Sequence, residues 1–199
     1  KAMFGKGSAL ELGKARLVMY HKACLFLRRG ECAVCLPVLT FTAYSNTGKT
    51  TYLEKLIPCL KAKGLRIAVI KHDGHDFQAD TEGKDSWRFA KAGAEVVAVA
   101  SGEKTAIFQY YPMPLDDIIS HIRDADVILT EGYKYGSYPK IAVFRADTGK
   151  GLSVPAEECL AIVGDYPEPA PCPVFPLDDA CPLAEFLLKW ILEQHKKDV

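Results

Sequence analysis

Long apolar runs are missing from this 199-residue chain. No stretch of 18 or more apolar residues occurs, so no membrane-spanning helix is expected. The most apolar early stretch, Leu17 to Leu27, is broken by His21 and Lys22, and it lies too deep in the chain for a secretory signal. Net charge is missing too: 25 Lys plus Arg balance 25 Asp plus Glu. That balance does not favour a nucleic-acid binder. No internal repeat and no low-complexity tract appears. The seven cysteines are an odd number in a chain of ordinary core size. With no secretory signal, they are expected as reduced thiols in a cytoplasm. Hydrophobic residues make up 49% and charged residues 25%, which excludes wholesale disorder, a collagen-like chain and a coiled-coil rod.

Zero net charge hides an asymmetry. Positions 1–35 hold seven basic residues (Lys1, Lys6, Lys14, Arg16, Lys22, Arg28, Arg29) and two acidic ones (Glu11, Glu31); the remainder holds 18 basic and 23 acidic. Residues 1–35 are therefore expected to be a poorly ordered extension, and residues 36–199 a single domain. Cys24, Cys32 and Cys35 are spaced C-x₇-C-x₂-C, with His21 nearby. One C-x-x-C could be half of a zinc or redox site, but a second half is lacking.

From Leu36 onward the pattern is regular. Short β-branched runs (36–43, 65–70, 126–130, 140–145, 159–163) alternate with helical stretches (50–63, 85–92, 115–123, and about 178–196). Two further runs, 95–100 and 104–110, flank Gly102 and read as a hairpin. Pro58 should kink or shorten the first helix, and Gly64 should end it. Continuous apolar strands alternating with helices predict a doubly wound α/β fold around a mostly parallel sheet.

The most specific short motif is Ala43-Tyr44-Ser45-Asn46-Thr47-Gly48-Lys49-Thr50-Thr51. It fits the phosphate-loop pattern G-x-x-x-x-G-K-[ST], with Ala at the first Gly position. A buried strand feeds the turn and a helix follows it. Such a turn directs backbone N–H groups at phosphate oxygens, and the helix N-terminus adds donors and the positive end of a dipole. Tyr44, Ser45, Asn46, Thr47, Gly48, Lys49, Thr50 and Thr51 are thus nucleotide-binding candidates. Lys49 is the candidate catalytic group, neutralising phosphate charge, and the Thr50 hydroxyl is a Mg²⁺ ligand. Two strand-end acids, Asp73 and Glu131, compete to be the second metal-binding element, because open α/β sheets bind ligands at the carboxyl ends of their strands. Asp126, at the opposite end of its strand, is expected to cap a turn. Asp165 follows an apolar strand, where a carboxylate could accept hydrogen bonds from guanine.

Residues 71–88 form a dense polar segment with His72, His75, Asp80, Asp85 and Arg88. Arg88 could hold a phosphate, or it could pair with an acid beside a helix capped by Asp85 or Ser86. His72, His75 and Asp76 could be metal ligands, although their spacing does not match a closed zinc site. Lys134 and Lys140 surround Tyr133, Tyr135 and Tyr138, where a pterin or base could stack.

Several blocks together resemble the molybdopterin-guanine dinucleotide biosynthesis protein B (MobB) family over about residues 36–195. They are AYSNTGKTT, the block from Lys55 to Phe77, Gly83 to Ala94, DVILTEGYK (126–134), PKIAVFR (139–145) and AIVGD (161–165). The resemblance implies a P-loop NTPase-like protein that binds GTP with Mg²⁺, hydrolyses it weakly at most and forms a homodimer. It also implies an accessory role to the guanylyltransferase that joins GMP to molybdopterin, with molybdopterin itself a further candidate ligand. Lys49, Thr50 and Glu131 carry over as nucleotide and metal contacts. His72, Asp73, His75, Asp80, Asp85 and Arg88 carry over as the segment bordering the site. Two other classes compete: a P-loop kinase acting on a small acceptor, which would need a lid of arginines, and a metal-binding chaperone built on the His and Cys residues.

Overall fold

The computed structural model describes residues 36–74 and 77–197. The extension expected over 1–35, with Cys24, Cys32 and Cys35, lies outside the described residues, as do His75 and Asp76. Contacts group the described residues into two compact units. One takes in the residues up to His72 and those from Asp124 onward; the other is Asp73–Arg123.

The first unit is built on a six-stranded sheet. Its strands are β1 (Val38–Thr42), β2 (Ile67–Lys71), β5 (Val127–Glu131), β6 (Lys140–Phe144), β7 (Cys159–Gly164) and β8 (Val174–Phe175). They lie in the order β2-β5-β1-β6-β7-β8, and every pairing is parallel. The chain leaves β1 in both directions, as a doubly wound sheet does. β1 and β5 are buried at all five positions; their polar residues Thr40, Thr42, Thr130 and Glu131 are buried with the apolar ones, and the Thr40 and Thr130 hydroxyls share a 2.9 Å hydrogen bond across the two strands.

Helix α1 (Lys49–Ala62) follows the turn after β1. It buries Tyr52, Leu53, Leu56 and Leu60 at helical spacing. Pro58 does not shorten it. The helix continues to Ala62, since one missing N–H is outweighed by an apolar face in which each fully buried Leu is worth about 1.5–3 kcal/mol. Lys63 and Gly64 donate back to the carbonyls of Leu60 and Lys61 and close the helix.

The C-terminal helix, Cys181–Lys197, packs against α1. One cluster joins the two helices to alternate residues of the sheet: Leu39 and Phe41, Val127 and Leu129, Ile141 and Val143, Ala161 and Val163. Cys59 on α1 and Cys181 on that terminal helix are joined as a disulfide, their Cα atoms 5.5 Å apart. The reduced-thiol expectation therefore does not hold for this pair. The cysteines are 122 residues apart in sequence, and only the packing of the two helices brings them together. Cys159 and Cys172 are free thiols in a second cluster with Ala142 and Ile162, and burial pushes the Cys159 thiol up to about 11.

The second unit contains α2 (Asp85–Lys91), an antiparallel pair β3 (Val96–Ala100) and β4 (Thr105–Gln109), and α3 (Leu115–His121). The terminal helix Cys181–Lys197 is accordingly α4. The hairpin forms where expected, but as a separate two-stranded sheet. Its turn is tied by Ser101, whose hydroxyl accepts from the N–H groups of Glu103 and Lys104. Among the described residues, no helix is long and apolar enough to cross a membrane.

Candidate functional site

Between β1 and α1 the backbone alternates in handedness. Asn46 has φ 66° and Gly48 φ 95°, and Gly48 stands at the N-terminal boundary of α1. Alternating conformations of this kind turn successive N–H groups toward one hollow. Glycine and asparagine are the residues that accept positive φ most readily. The Thr47 hydroxyl donates to the Tyr44 carbonyl at 2.9 Å and fixes the bend. Among the described residues, no hydrogen bond uses the backbone N–H of residues 45–48 as its donor. Those donors and the first N–H groups of α1 share one end of the helix, an arrangement that favours a bound polyanion.

The neighbouring strand brings an acid to the same place. β5 pairs with β1 in register, Phe41 beside Glu131, so Glu131 ends its strand next to the loop. The Thr50 hydroxyl donates to Glu131 Oε1 at 3.1 Å, and Lys49 Nζ lies 3.6 Å from the same oxygen. The Glu131 side chain is only 11% exposed, so this contact is shielded from solvent. A hydroxyl and an ammonium group thus both lie within 3.6 Å of one carboxylate oxygen. A hard divalent ion takes oxygen ligands of the kind that Thr50 and Glu131 provide.

Other predicted residues are distributed as follows. His72 is held beside the site: its N–H donates to the Glu131 carbonyl at 2.8 Å, and its ring stacks on Tyr133 at 4.8 Å. Partial burial raises the Tyr133 hydroxyl above its ordinary pKa. Lys134 Nζ lies 4.9 Å from the Tyr135 ring and 6.0 Å from the Tyr44 ring, and Tyr135 is 90% exposed. Lys140 instead pairs with Glu158 at 3.3 Å. Asp126 receives the Arg66 backbone N–H at 2.7 Å and joins the starts of β2 and β5, away from the site edge.

Asp73, Asp80, Asp85 and Arg88 belong to the second unit. There Asp80 Oδ1 accepts from the Thr81 N–H and the Ser86 hydroxyl. Arg88 pairs with Asp85 at 3.4 Å with both side chains exposed. Neither Asp85 nor Ser86 caps α2: the capping position is Lys84, without a side-chain bond. Among the described residues, no group of three or more His, Cys, Asp or Glu could hold a metal ion.

Asp165 follows β7 and faces a cavity of about 440 Å³, lined also by Arg145, Asp147, Gly164, Pro176 and Leu177. One of its oxygens accepts the Ala146 N–H at 2.9 Å, which fixes the carboxylate at the cavity wall. Gly164 is required beside it, because a β-carbon there would fall 1.8 Å from the Phe144 carbonyl oxygen.

The connection from β6 to β7 grips the phosphate loop, a role that residue pattern did not indicate. Lys150 Nζ donates to the Ser45 carbonyl at 3.1 Å, the Ser153 and Thr42 hydroxyls share a 2.7 Å hydrogen bond, and a terminal nitrogen of Arg145 lies 3.5 Å from where a β-carbon on Gly48 would sit. PKIAVFR is recognisable as a strand, but nothing in it states that β6 lies directly beside β1.

A parallel sheet, a nest of unpaired N–H groups and the Lys49–Thr50–Glu131 convergence define a phosphate-loop protein of the α/β class. Within that class, the chain belongs to the MobB family: the family's model, molybdopterin guanine dinucleotide synthesis protein B, matches residues 38–165. A molybdopterin-guanine dinucleotide biosynthesis adapter protein of Haemophilus influenzae is 38% identical over 164 residues, covering 80% of this chain and 92% of the relative. Its Escherichia coli counterpart is 36% identical over 168 residues, covering 80% and 96%. The crystal structure of Bacillus subtilis MobB superposes with a TM-score of 0.60 at 26% identity, covering 79% of this chain and 97% of that one.

Proposed function

We propose that this protein is a GTP-binding adapter in molybdopterin guanine dinucleotide formation, serving the guanylyltransferase that transfers GMP to molybdopterin. The observation that carries the reading is the convergence of Lys49, Thr50 and Glu131 beneath unpaired loop N–H groups. In this reading the N–H groups of residues 44–51 and Lys49 hold the phosphates. Thr50 and Glu131 hold Mg²⁺, with Asp73 a further candidate ligand. Asp165, at the wall of its cavity, accepts hydrogen bonds from the guanine edge. Mg²⁺ would supply charge neutralisation to the phosphates when bound. Lys49 would act on the same charge, supporting slow hydrolysis at most.

Exposed surface supports the partners in this reading. Val96, Val99 and Ile107 project from the β3–β4 hairpin into solvent. A two-stranded sheet is marginal alone in water, so this surface suits a second copy of the chain in a homodimer. Tyr135 and Lys134 beside Tyr44 offer a stacking platform for molybdopterin. A cytoplasmic setting accompanies the reading, since GTP and the guanylyltransferase would meet there.

The test is competition of GTP against ATP for the purified protein with Mg²⁺ present. GTP should be preferred at least tenfold, with turnover well below the ~1–100 s⁻¹ of kinases. Equal affinity for ATP would remove the guanine assignment. Rapid ATP-dependent phosphorylation of an acceptor would replace the adapter reading with a kinase.

A further inference from the structure

We propose that Arg145 is a positioning residue for the nucleotide, binding where the ribose meets the α-phosphate and joining the phosphate loop to the base cavity. The inference rests on the site being a guanine-nucleotide site and adds to it a residue and a direction of binding.

The direction comes from strand order. Four neighbouring strands end at the ligand edge in the order β5-β1-β6-β7. Glu131 ends β5, the phosphate loop follows β1, Arg145 follows β6, and Asp165 follows β7. Adjacent strands are about 4.8 Å apart, so the loop and the Asp165 cavity are separated by two spacings, roughly 10 Å. That is about the span from a purine to the phosphate chain of an extended nucleotide. A nucleotide laid across this edge has its metal-bound phosphates beside Glu131 and Lys49, and its base beside Asp165. Its ribose and α-phosphate then lie over β6.

Arg145 is the cationic side chain at that point. It reaches toward Gly48 on one side, to 3.5 Å from the virtual β-carbon, and lines the cavity on the other. Its carboxylate neighbour holds it loosely: Asp147 is 4.0 Å away, and the two side chains are 43% and 72% exposed. A pair so exposed is worth little, whereas a guanidinium donating to phosphate oxygens forms charge-assisted, often bidentate bonds. Lys150 is already engaged by the Ser45 carbonyl, so it braces the loop and leaves Arg145 to meet the ligand.

Affinities for GTP and GDP should be measured for wild type, Arg145→Ala, Arg145→Lys and Lys49→Ala, each checked by thermal melting. Arg145→Ala should weaken GTP and GDP by the same factor, about tenfold or more. Its melting temperature and its preference for GTP over ATP should stay those of wild type. Arg145→Lys should recover part of the loss, because charge remains and the fork does not. Lys49→Ala should instead penalise GTP more than GDP. Unchanged affinity in Arg145→Ala, or a loss confined to GTP, would overturn the assignment, the latter by moving Arg145 to the γ-phosphate. A lowered melting temperature in both Arg145 variants would make the residue structural and also overturn it. A wild-type protein that binds no guanine nucleotide would instead overturn the reading of the site itself.

Discussion

Strands β5 and β3 are equal in length, each with three β-branched residues, and opposites in burial. Val-Ile-Leu-Thr-Glu in β5 is buried at every position, between β2 and β1 in the parallel sheet. Val-Val-Ala-Val-Ala in β3 has a single buried residue, Val97, and pairs only with β4. Apolar, β-branched composition predicts a strand in both cases. It does not predict how many neighbours the strand finds. In the sheet unit the chain completes its own core and holds the candidate residues Lys49 and Thr50 against Glu131. In the 73–123 unit Val96, Val99 and Ile107 stay exposed.

Two substitutions test this contrast. The larger effect is expected in the core. Leu129→Ala, at a position with no exposure, should cost about 2–5 kcal/mol in urea unfolding. Ile107→Ala, at a position 64% exposed, should cost less than about 0.5 kcal/mol at low protein concentration. Equal costs would mean that the hairpin is as well packed as the sheet. A smaller effect should separate the two candidate metal acids. Glu131→Gln should weaken the Mg²⁺-dependent part of GTP binding about tenfold or more, and Asp73→Asn by less. The reverse order would transfer the metal site to the second unit.

The sequence was most informative where local chemistry decides structure. β1 follows from its β-branched run, α1 and β5 from their apolar positions with Gly64 and Gly132 after them, and the phosphate loop from Gly48-Lys49-Thr50 between a strand and a helix. Glu131 and Asp73 are both legible as strand-end acids; that Glu131 lies beside the end of β1 depends on the β1–β5 register, which no local pattern carries. What could not be read depends on which distant segments become neighbours. Arg145, Lys150 and Ser153 reach the loop only because β6 lies next to β1. Cys59 meets Cys181 only because α1 and α4 share a face of the sheet. β8 is two residues long among prolines, too short for any periodicity to register.

On the proposed reading, the bend before α1 holds a nucleotide's phosphates with Lys49 as their counter-charge. The decisive experiment is a titration of GTP–Mg²⁺ into wild type and Lys49→Ala, side by side with their thermal unfolding. Affinity should fall about a hundredfold or more while the cooperative unfolding transition is retained, because Lys49 would meet phosphate and lies outside the apolar cluster; the cost to stability should be confined to the lost pairing with Glu131. GTP affinity in Lys49→Ala equal to wild type would contradict that reading.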